Sequence, residues 1–386
     1  QVPAVLSDPE NIRVTVMADH ASPSPQDIKG GSSARKSRPK PAATHKGQSR
    51  VASPVYPGAA RWPKLRSYAA IDLGTNNCRL LVAKPSSDGF IVTDAFSRVV
   101  RLGEGLVETG KISSRAMDRA VAALAICADK LRRRNVTLAR SVATEACRRA
   151  SNGDKFIERV RRETGIALDV ITAEEEARLA VLGCHILLEP GEGPALIFDI
   201  GGGSTELVLV DTSGSAPEIL DWQSAPWGVV SLTESEKFDG DDPDARRAAF
   251  QAMRARVTDS FASFAARLPR LDQCDYRLLG TSGTVTTLAS LHLKLPHYDR
   301  KVIDGLIVPT ESMREISAML AHASPEERAD IPCIGRERAD LVVGGCAILE
   351  SILDIWPASR VGVADRGIRE GILRSLMSAN ERGSIR

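Results

Sequence analysis

The segment "LIFDIGGGSTELVLV" (196–210) sets two carboxylates, Asp199 and Glu206, on either side of three glycines and two hydroxyl side chains, Ser204 and Thr205. Gly201, Gly202 and Gly203 allow positive φ and let a ligand approach the backbone closely. Successive N–H groups in such a turn can point at anionic oxygens. A carboxylate beside a phosphate repels it, so Asp199 and Glu206 call for a cation or a water in between, and oxygen ligands of this kind suit Mg²⁺. An ordinary glycine-rich hairpin with exposed acids would have the same composition. A second copy favours the functional reading. In "YAAIDLGTNNCRLLVAKP", Asp72 aligns with Asp199, Gly74 with Gly201, Asn76 with Gly203, Asn77 with Ser204 and Leu80 with Leu207, at a constant offset of 127 residues. The repeat makes a duplicated phosphate clamp, with Gly74, Thr75, Asn76 and Asn77 as the second turn and Asp72 as a further metal candidate.

A third turn, "LGTSGT" (279–284), places Ser282, Gly283 and Thr284 between a strand and a helix. A helix N-terminus with free N–H groups favours an anion. The chain contains no GxxxxGK[ST] run, which excludes a P-loop, and this turn does not fit GxGxxG, which argues against a dinucleotide site. "TAEEEARLA" opens a helix with Glu174, Glu175 and Glu176. Acid enrichment against the helix dipole accounts for one or two of them. A third can stand at a cleft and deprotonate a water beside bound phosphate. Of Arg148 and Arg149 in "EACRRA", one can clamp phosphate oxygens and the other suits the surface.

These motifs need elements to carry them, and the pattern supplies an alternation of strands and helices. Residues 113–134 have helical apolar spacing with Ser113 or Ser114 as N-cap. "SVATEACRRA" reads as a strand end and a turn, and "SNGDKFIERVRRETG" as a helix ending at Gly165. "ALDVITAEEEARLAVLGCHILL" is a strand running into a helix, and residues 243–268, 310–322 and 336–353 read as helices. "YRLLGTSGTVTTLASL" and "RVGVADRGIREGILRSLM" are each strand, turn and helix. The expectation is α/β, with a largely parallel sheet in each of two related halves.

Taken together, the two hairpins and the third turn resemble the phosphate motifs of the actin, sugar-kinase and chaperone ATPase superfamily. Within it, the chain resembles the exopolyphosphatase and guanosine pentaphosphate phosphatase family. The matching stretches are "AAIDLGTNNCRLLV", "RLGEGL", "ATEACRRASN", "EEEARLA", "FDIGGGSTELV", "LGTSGTVTTLA", "GRERADLVVGGCAIL" and "VADRGIREGIL", in order over 67–378. The resemblance implies two ribonuclease-H-like domains with a cleft between them, here 67–179 and 180–386. It also implies Mg²⁺-dependent hydrolysis of a terminal phosphoanhydride, with polyphosphate or pppGpp as substrate. The family's catalytic glutamate falls on Glu176, its arginine on Arg148, its metal and phosphate acids on Asp199 and Glu206, and its first phosphate loop on Gly74–Asn77. Where many members have Asn-Ser, this chain has Asn76-Asn77, and an amide can still donate to phosphate. Long members add a helical region with an HD-type domain after the point where this sequence stops. A short form, without a long polyphosphate channel, is therefore expected. Members of the family it resembles are often dimers, which makes a homodimer one option and leaves the oligomeric state open. An ATP-dependent kinase and a non-catalytic nucleotide sensor are the other readings the superfamily offers, and "EEEARLA" together with the retained acids speaks against both.

Composition narrows the rest. The net charge of +2 hides an asymmetry, since residues 1–66 hold 11 Lys/Arg against 4 Asp/Glu. That stretch is rich in Pro, Ser and Gly, and is expected to be a disordered basic tail, either solvated or weakly attracted to polyanions. Seven cysteines without a CxxC pair are expected as scattered thiols in a reducing cytoplasm. Six histidines without an HxH or HExxH cluster give no zinc site. No apolar run approaches a membrane span, and the first residues lack the pattern of a secretory signal. No membrane partner and no specific nucleic acid are expected.

Overall fold

The computed structural model describes residues 66–383 apart from 88, 192–194, 215–216, 237–241 and 269–275, so the basic tail expected over 1–66 lies, save Arg66, outside the described residues. The first half opens with β1 (Tyr68–Leu73), buried along its whole length, antiparallel to β2 (Asn77–Ser86), which pairs antiparallel with β3 (Gly89–Val99). Helices α1 (Leu106–Thr109) and α2 (Ser114–Arg133) lead to β4 (Leu138–Ala143), parallel to β1. Ser113 caps α2 by accepting from Ala116 N–H. Helices α3 (Glu145–Arg149) and α4 (Gly153–Thr164) precede the short β5 (Asp169–Val170), parallel to β4. The sheet order is β3-β2-β1-β4-β5.

After α5 (Ala173–Cys184), the second half repeats the plan with β6 (Ala195–Ile200), β7 (Thr205–Asp211) and β8 (Glu218–Ala225). Then follow α6 (Val229–Ser235), α7 (Pro243–Arg267), β9 (Arg277–Thr281), α8 (Gly283–His292), α9 (Arg300–Ile303) and β10 (Ile307–Pro309). The chain closes with α10 (Thr310–His322), α11 (Pro325–Asp330), α12 (Val342–Ile355), β11 (Arg360–Ala364) and α13 (Ile368–Gly383). The sheet order β10-β11-β9-β6-β7-β8 is that of the first sheet, read in reverse, with β10 added at the edge.

Helices cover both faces of each sheet. Leu80, Leu124 and Phe156 pack β2 against α2 and α4. Phe198, Phe261, Phe264 and Trp356 build the larger core under α7 and α12, with Phe264 edge-on to Trp356 at 5.8 Å between ring centroids. Helix α5 lies between the halves. Its Leu179 joins Tyr68, Ile372 and Leu373 below the first sheet, while Ala177, Val181 and Cys184 pack on Ile197 and Val208 of the second.

Three expectations change. The sheets are mixed rather than largely parallel, because β3 and β8 extend each hairpin into an antiparallel meander. The helix expected from 336 begins at Val342; residues 335–341 form successive turns, with Ala339 C=O taken by Arg328 Nε. "EACRR" is a short helix, not a turn. Six described cysteines are free thiols, five of them buried. No helix among the described residues is long and apolar enough to cross a membrane.

Candidate active site

The repeat brings the two hairpin turns face to face. In each hairpin an acid ends the first strand, and register sets its partner: Asp72 lies opposite Arg79, and Asp199 opposite Glu206. The glycines serve a purpose other than the expected one. None of Gly74, Gly201, Gly202 and Gly203 has φ in the left-handed region. Instead, a Cβ on Gly202 would sit 2.9 Å from Thr75 Cβ, and one on Gly203 would sit 2.7 Å from Thr75 Oγ1. Their smallness lets the second turn lie directly against the first.

One cleft is lined by Asp72, Gly74, Thr75, Asn76 and Asn77 of the first turn, and by Asp199, Gly201, Gly202, Gly203, Ser204 and Glu206 of the second. Ser282, Gly283 and Thr284 at the start of α8, and Glu176 on α5, line it as well. Thr205 does not; its hydroxyl donates to Trp227 C=O and braces the turn from behind. Arg148 is also absent from the lining. Among the described residues, the amides of Thr75, Asn76, Gly202, Gly203 and Gly283 make no hydrogen bond, whereas Thr284 and Val285 N–H donate to Ser282 Oγ. Arg79, Thr144, Glu145, Thr287 and Arg338 line the cleft without having been read from the sequence. The offset of 127 could have pointed to Arg79, which occupies the position of Glu206 in the other copy.

Electrostatics set the acids apart from surface carboxylates. Burial and the nearby Glu206 push Asp199 up to about 8. Burial also raises Glu206, against two serine donors: Ser204 Oγ at 2.8 Å and Ser224 Oγ at 2.9 Å from Oε1. Asp72 is raised by burial, and Glu176 is raised well above the usual range by burial and by Glu206, with Arg148 opposing. Such a crowd of desolvated acids resists ionisation until a cation joins it. Asp72 Oδ1, Asn76 Oδ1 and Asn77 Oδ1 are buried without a hydrogen-bond partner, so acceptors wait at the first turn. No group of three His, Cys, Asp or Glu among the described residues is close enough to hold a metal by itself.

Two α/β halves of the same sheet plan enclose a carboxylate-lined cleft, and similarity to proteins named exopolyphosphatase and guanosine-5'-triphosphate,3'-diphosphate pyrophosphatase puts the chain among enzymes that hydrolyse phosphoanhydrides. The model of the "Ppx/GppA phosphatase family" matches residues 82–380, and the chain belongs to that family. It is 31% identical to exopolyphosphatase 2 of Mycobacterium tuberculosis over 328 residues, 81% of this chain and 99% of that one. It is 28% identical over 317 residues to a guanosine-5'-triphosphate,3'-diphosphate pyrophosphatase of Aeromonas salmonicida, covering 81% of this chain and 60% of that protein. The crystal structure of the Aquifex aeolicus family member superposes with a TM-score of 0.65 at 28% identity, over 82% of this chain and 99% of that one.

Proposed function

We propose that the chain releases the terminal phosphate of inorganic polyphosphate, of pppGpp, or of both, by Mg²⁺-dependent hydrolysis in this cleft. The observation that carries the reading is the convergence of three small-residue turns and the buried Glu176 on one site. In this reading 67–179 and 180–386 form the two halves, with α13 returning to pack under the first sheet. Asp199, helped by Asp72 or Glu206, would hold Mg²⁺, which when bound would offset charge on the phosphoanhydride oxygens. The free amides of Thr75, Asn76, Gly202, Gly203 and Gly283 receive the oxygens of the terminal phosphate, with Asn77 and Thr284 beside them. Ser204 steadies Glu206, and Thr205 braces the turn. Arg148 makes four hydrogen bonds within the protein, which leaves one of its five N–H groups for a phosphate oxygen. Glu176 takes a proton from the attacking water. The water oxygen bonds to phosphorus, and the bridging P–O bond breaks in line. A raised carboxyl is the stronger base once ionised, which suits Glu176 to this step.

The test is phosphate release from short polyphosphate, long polyphosphate and pppGpp with no acceptor present. Release with Mg²⁺ and its loss on chelation are expected, and Glu176→Gln should lower kcat by about 10²–10⁴-fold in a folded protein. Transfer only to an added acceptor would make the protein a kinase, and nucleotide binding without turnover would make it a sensor. Wild-type release by the Gln variant would remove Glu176 as the base.

A further inference from the structure

The base does not stand alone: Glu176 Oε2 accepts from Arg148 Nη1 at 3.0 Å, and the same nitrogen donates to Ile171 C=O at 2.8 Å, just before α5 begins. The rest of the guanidinium is gripped from the other side. Glu145 Oε2 accepts from Arg148 Nη2 at 2.6 Å and from Nε at 3.2 Å, while Glu145 Oε1 lies 3.7 Å from Arg149 Nε. Both carboxylate oxygens of Glu145 therefore face arginines. Its methylenes face the other way, since a Cβ on Gly203 would lie 3.0 Å from Glu145 Cγ. Glu145 thus meets the cleft with its stem and Arg148 with its charge.

We propose that Glu145 is a positioning residue of this site, holding Arg148 so that Arg148 in turn fixes the Glu176 carboxylate and the start of α5. The inference rests on the reading of Glu176 as the base. Sequence spacing supports the arrangement: Glu145 and Arg148 stand at i and i+3 on α3, so one turn of helix presents both. A guanidinium anchored on two opposed carboxylates has little freedom to swing. Without Glu145 it keeps only Glu176 and a carbonyl as partners, and an incoming phosphate becomes its strongest competing acceptor. Loss of the anchor therefore disturbs the base while leaving, or even improving, attraction for substrate.

The experiment uses the full chain with Mg²⁺ and the better of polyphosphate or pppGpp. Glu145→Gln should lower kcat by on the order of 10- to 100-fold, the scale of a small displacement at a reacting centre, with KM unchanged or lower. Glu145→Asp keeps the charge but draws it back by one methylene, and should also lose kcat, with an unfolding midpoint close to wild type. The decisive readout is a double-mutant cycle. In an Arg148→Gln background, Glu145→Gln should cost nothing further, because Glu145 acts only through Arg148. Additive losses would overturn the proposal and make Glu145 act directly on substrate or metal. A raised KM with unchanged kcat would overturn it too. If the Gln variant fails to fold, the Asp variant in the same cycle decides. Failure of the underlying reading would look different: Glu176→Gln would retain wild-type turnover.

Discussion

At the scale of residues, the site is a set of carboxylates whose ionisation is opposed by burial and by one another's charge. Asp199 has an ordinary value of 3.8 and is pushed up to about 8 in the folded chain. Between those values the folded state holds a proton that the unfolded chain has released. Stability contributed by that proton is present at low pH and is lost as pH rises towards 8. Asp72, Glu176 and Glu206 are displaced in the same direction. Carboxylates held low, such as Asp94 at about 2 beneath Lys130 and Arg134, complete their titration below this window. The expected outcome in chelator is an unfolding temperature that falls from about pH 5 to about pH 8, and a Mg²⁺-induced rise that is larger at the higher pH. Scanning calorimetry at the two pH values checks this, and a Mg²⁺ effect of equal size at both would contradict it. Asp72, Asp199 and the glycine turns could be picked from sequence because they recur at a fixed offset, whereas Glu176 is singled out among three neighbouring glutamates only by the family resemblance. Ser224 could not. It reaches Glu206 only because β8 pairs with β7 and sets Ser224 opposite Glu206. Glu145 was hidden for another reason: a glutamate beside arginines on a short helix reads as an ordinary surface ion pair.

At the scale of elements, the duplication runs deeper than the turns that revealed it. Residues 68–73 and 195–200 are both complete strands, displaced by the same 127 residues. The irregularities in β2/β3 and β7/β8 fall between Val82 and Ala83 and between Leu209 and Val210, again at that offset. Strands β3 and β8 escaped detection because they are sheet edges, β3 exposed along much of its length and β8 mostly half-buried, so no strong apolar run marks them. The helices were legible where one face is buried, and α10 matches its expected span. The stretch 336–341 was not, because its backbone is diverted into turns that place Arg338 at the cleft. A glycine contact between α5 and α13 also needed the structure. A Cβ on Gly183 would lie 2.0 Å from Gly367 O, and one on Gly371 would lie 2.0 Å from Leu179 O. Both clashes are with backbone, so neither can relax by a side-chain rotation. Gly371→Ala should destabilise the protein by about 1–3 kcal/mol, measured by urea denaturation. Because α5 carries Glu176, the folded fraction should also lose kcat. An Ala variant with wild-type stability and turnover would mean that the two helices are not packed this closely.

At the scale of the whole molecule, the halves meet at two levels. The α5–α13 pair forms the floor between them, and the loop 100–105 crosses near the mouth. That loop is bound to the first phosphate turn: Val100 and Arg101 N–H donate to Asn76 C=O, and Gly103 N–H donates to Thr75 C=O. Arg119 holds its carbonyls, with Nε on Val100 C=O and Nη2 on Arg101 C=O. From this braced base, Arg101 Nη2 reaches Glu337 C=O at 3.1 Å and its Nη1 lies 3.3 Å from Asp340 Oδ2, while Gly105 N–H donates to Glu234 Oε1 at 2.8 Å. Glu234, Glu337 and Asp340 all belong to the second half, so the peptide groups that shape the first phosphate turn are two covalent steps from a strap across the cleft. Both partners of the ion pair are substantially exposed, at 34% and 46%, so its intrinsic strength is small and screened by salt. Its leverage comes from position, because opening at the mouth separates turns that must act on one phosphate together. Arg101→Ala should therefore raise KM by a few-fold at most, the range of an exposed pair, and leave kcat nearly intact once substrate is bound. Raising the ionic strength should weaken wild-type binding through the strap and through phosphate contacts, but should weaken the Ala variant through phosphate contacts alone. Steady-state kinetics at low and high salt separate the two. The ratio of KM values, variant over wild type, should shrink as salt rises. A ratio that stays constant would mean that the ion pair contributes nothing to closing the mouth and that Arg101 acts through its bond to the uncharged Glu337 carbonyl or through packing.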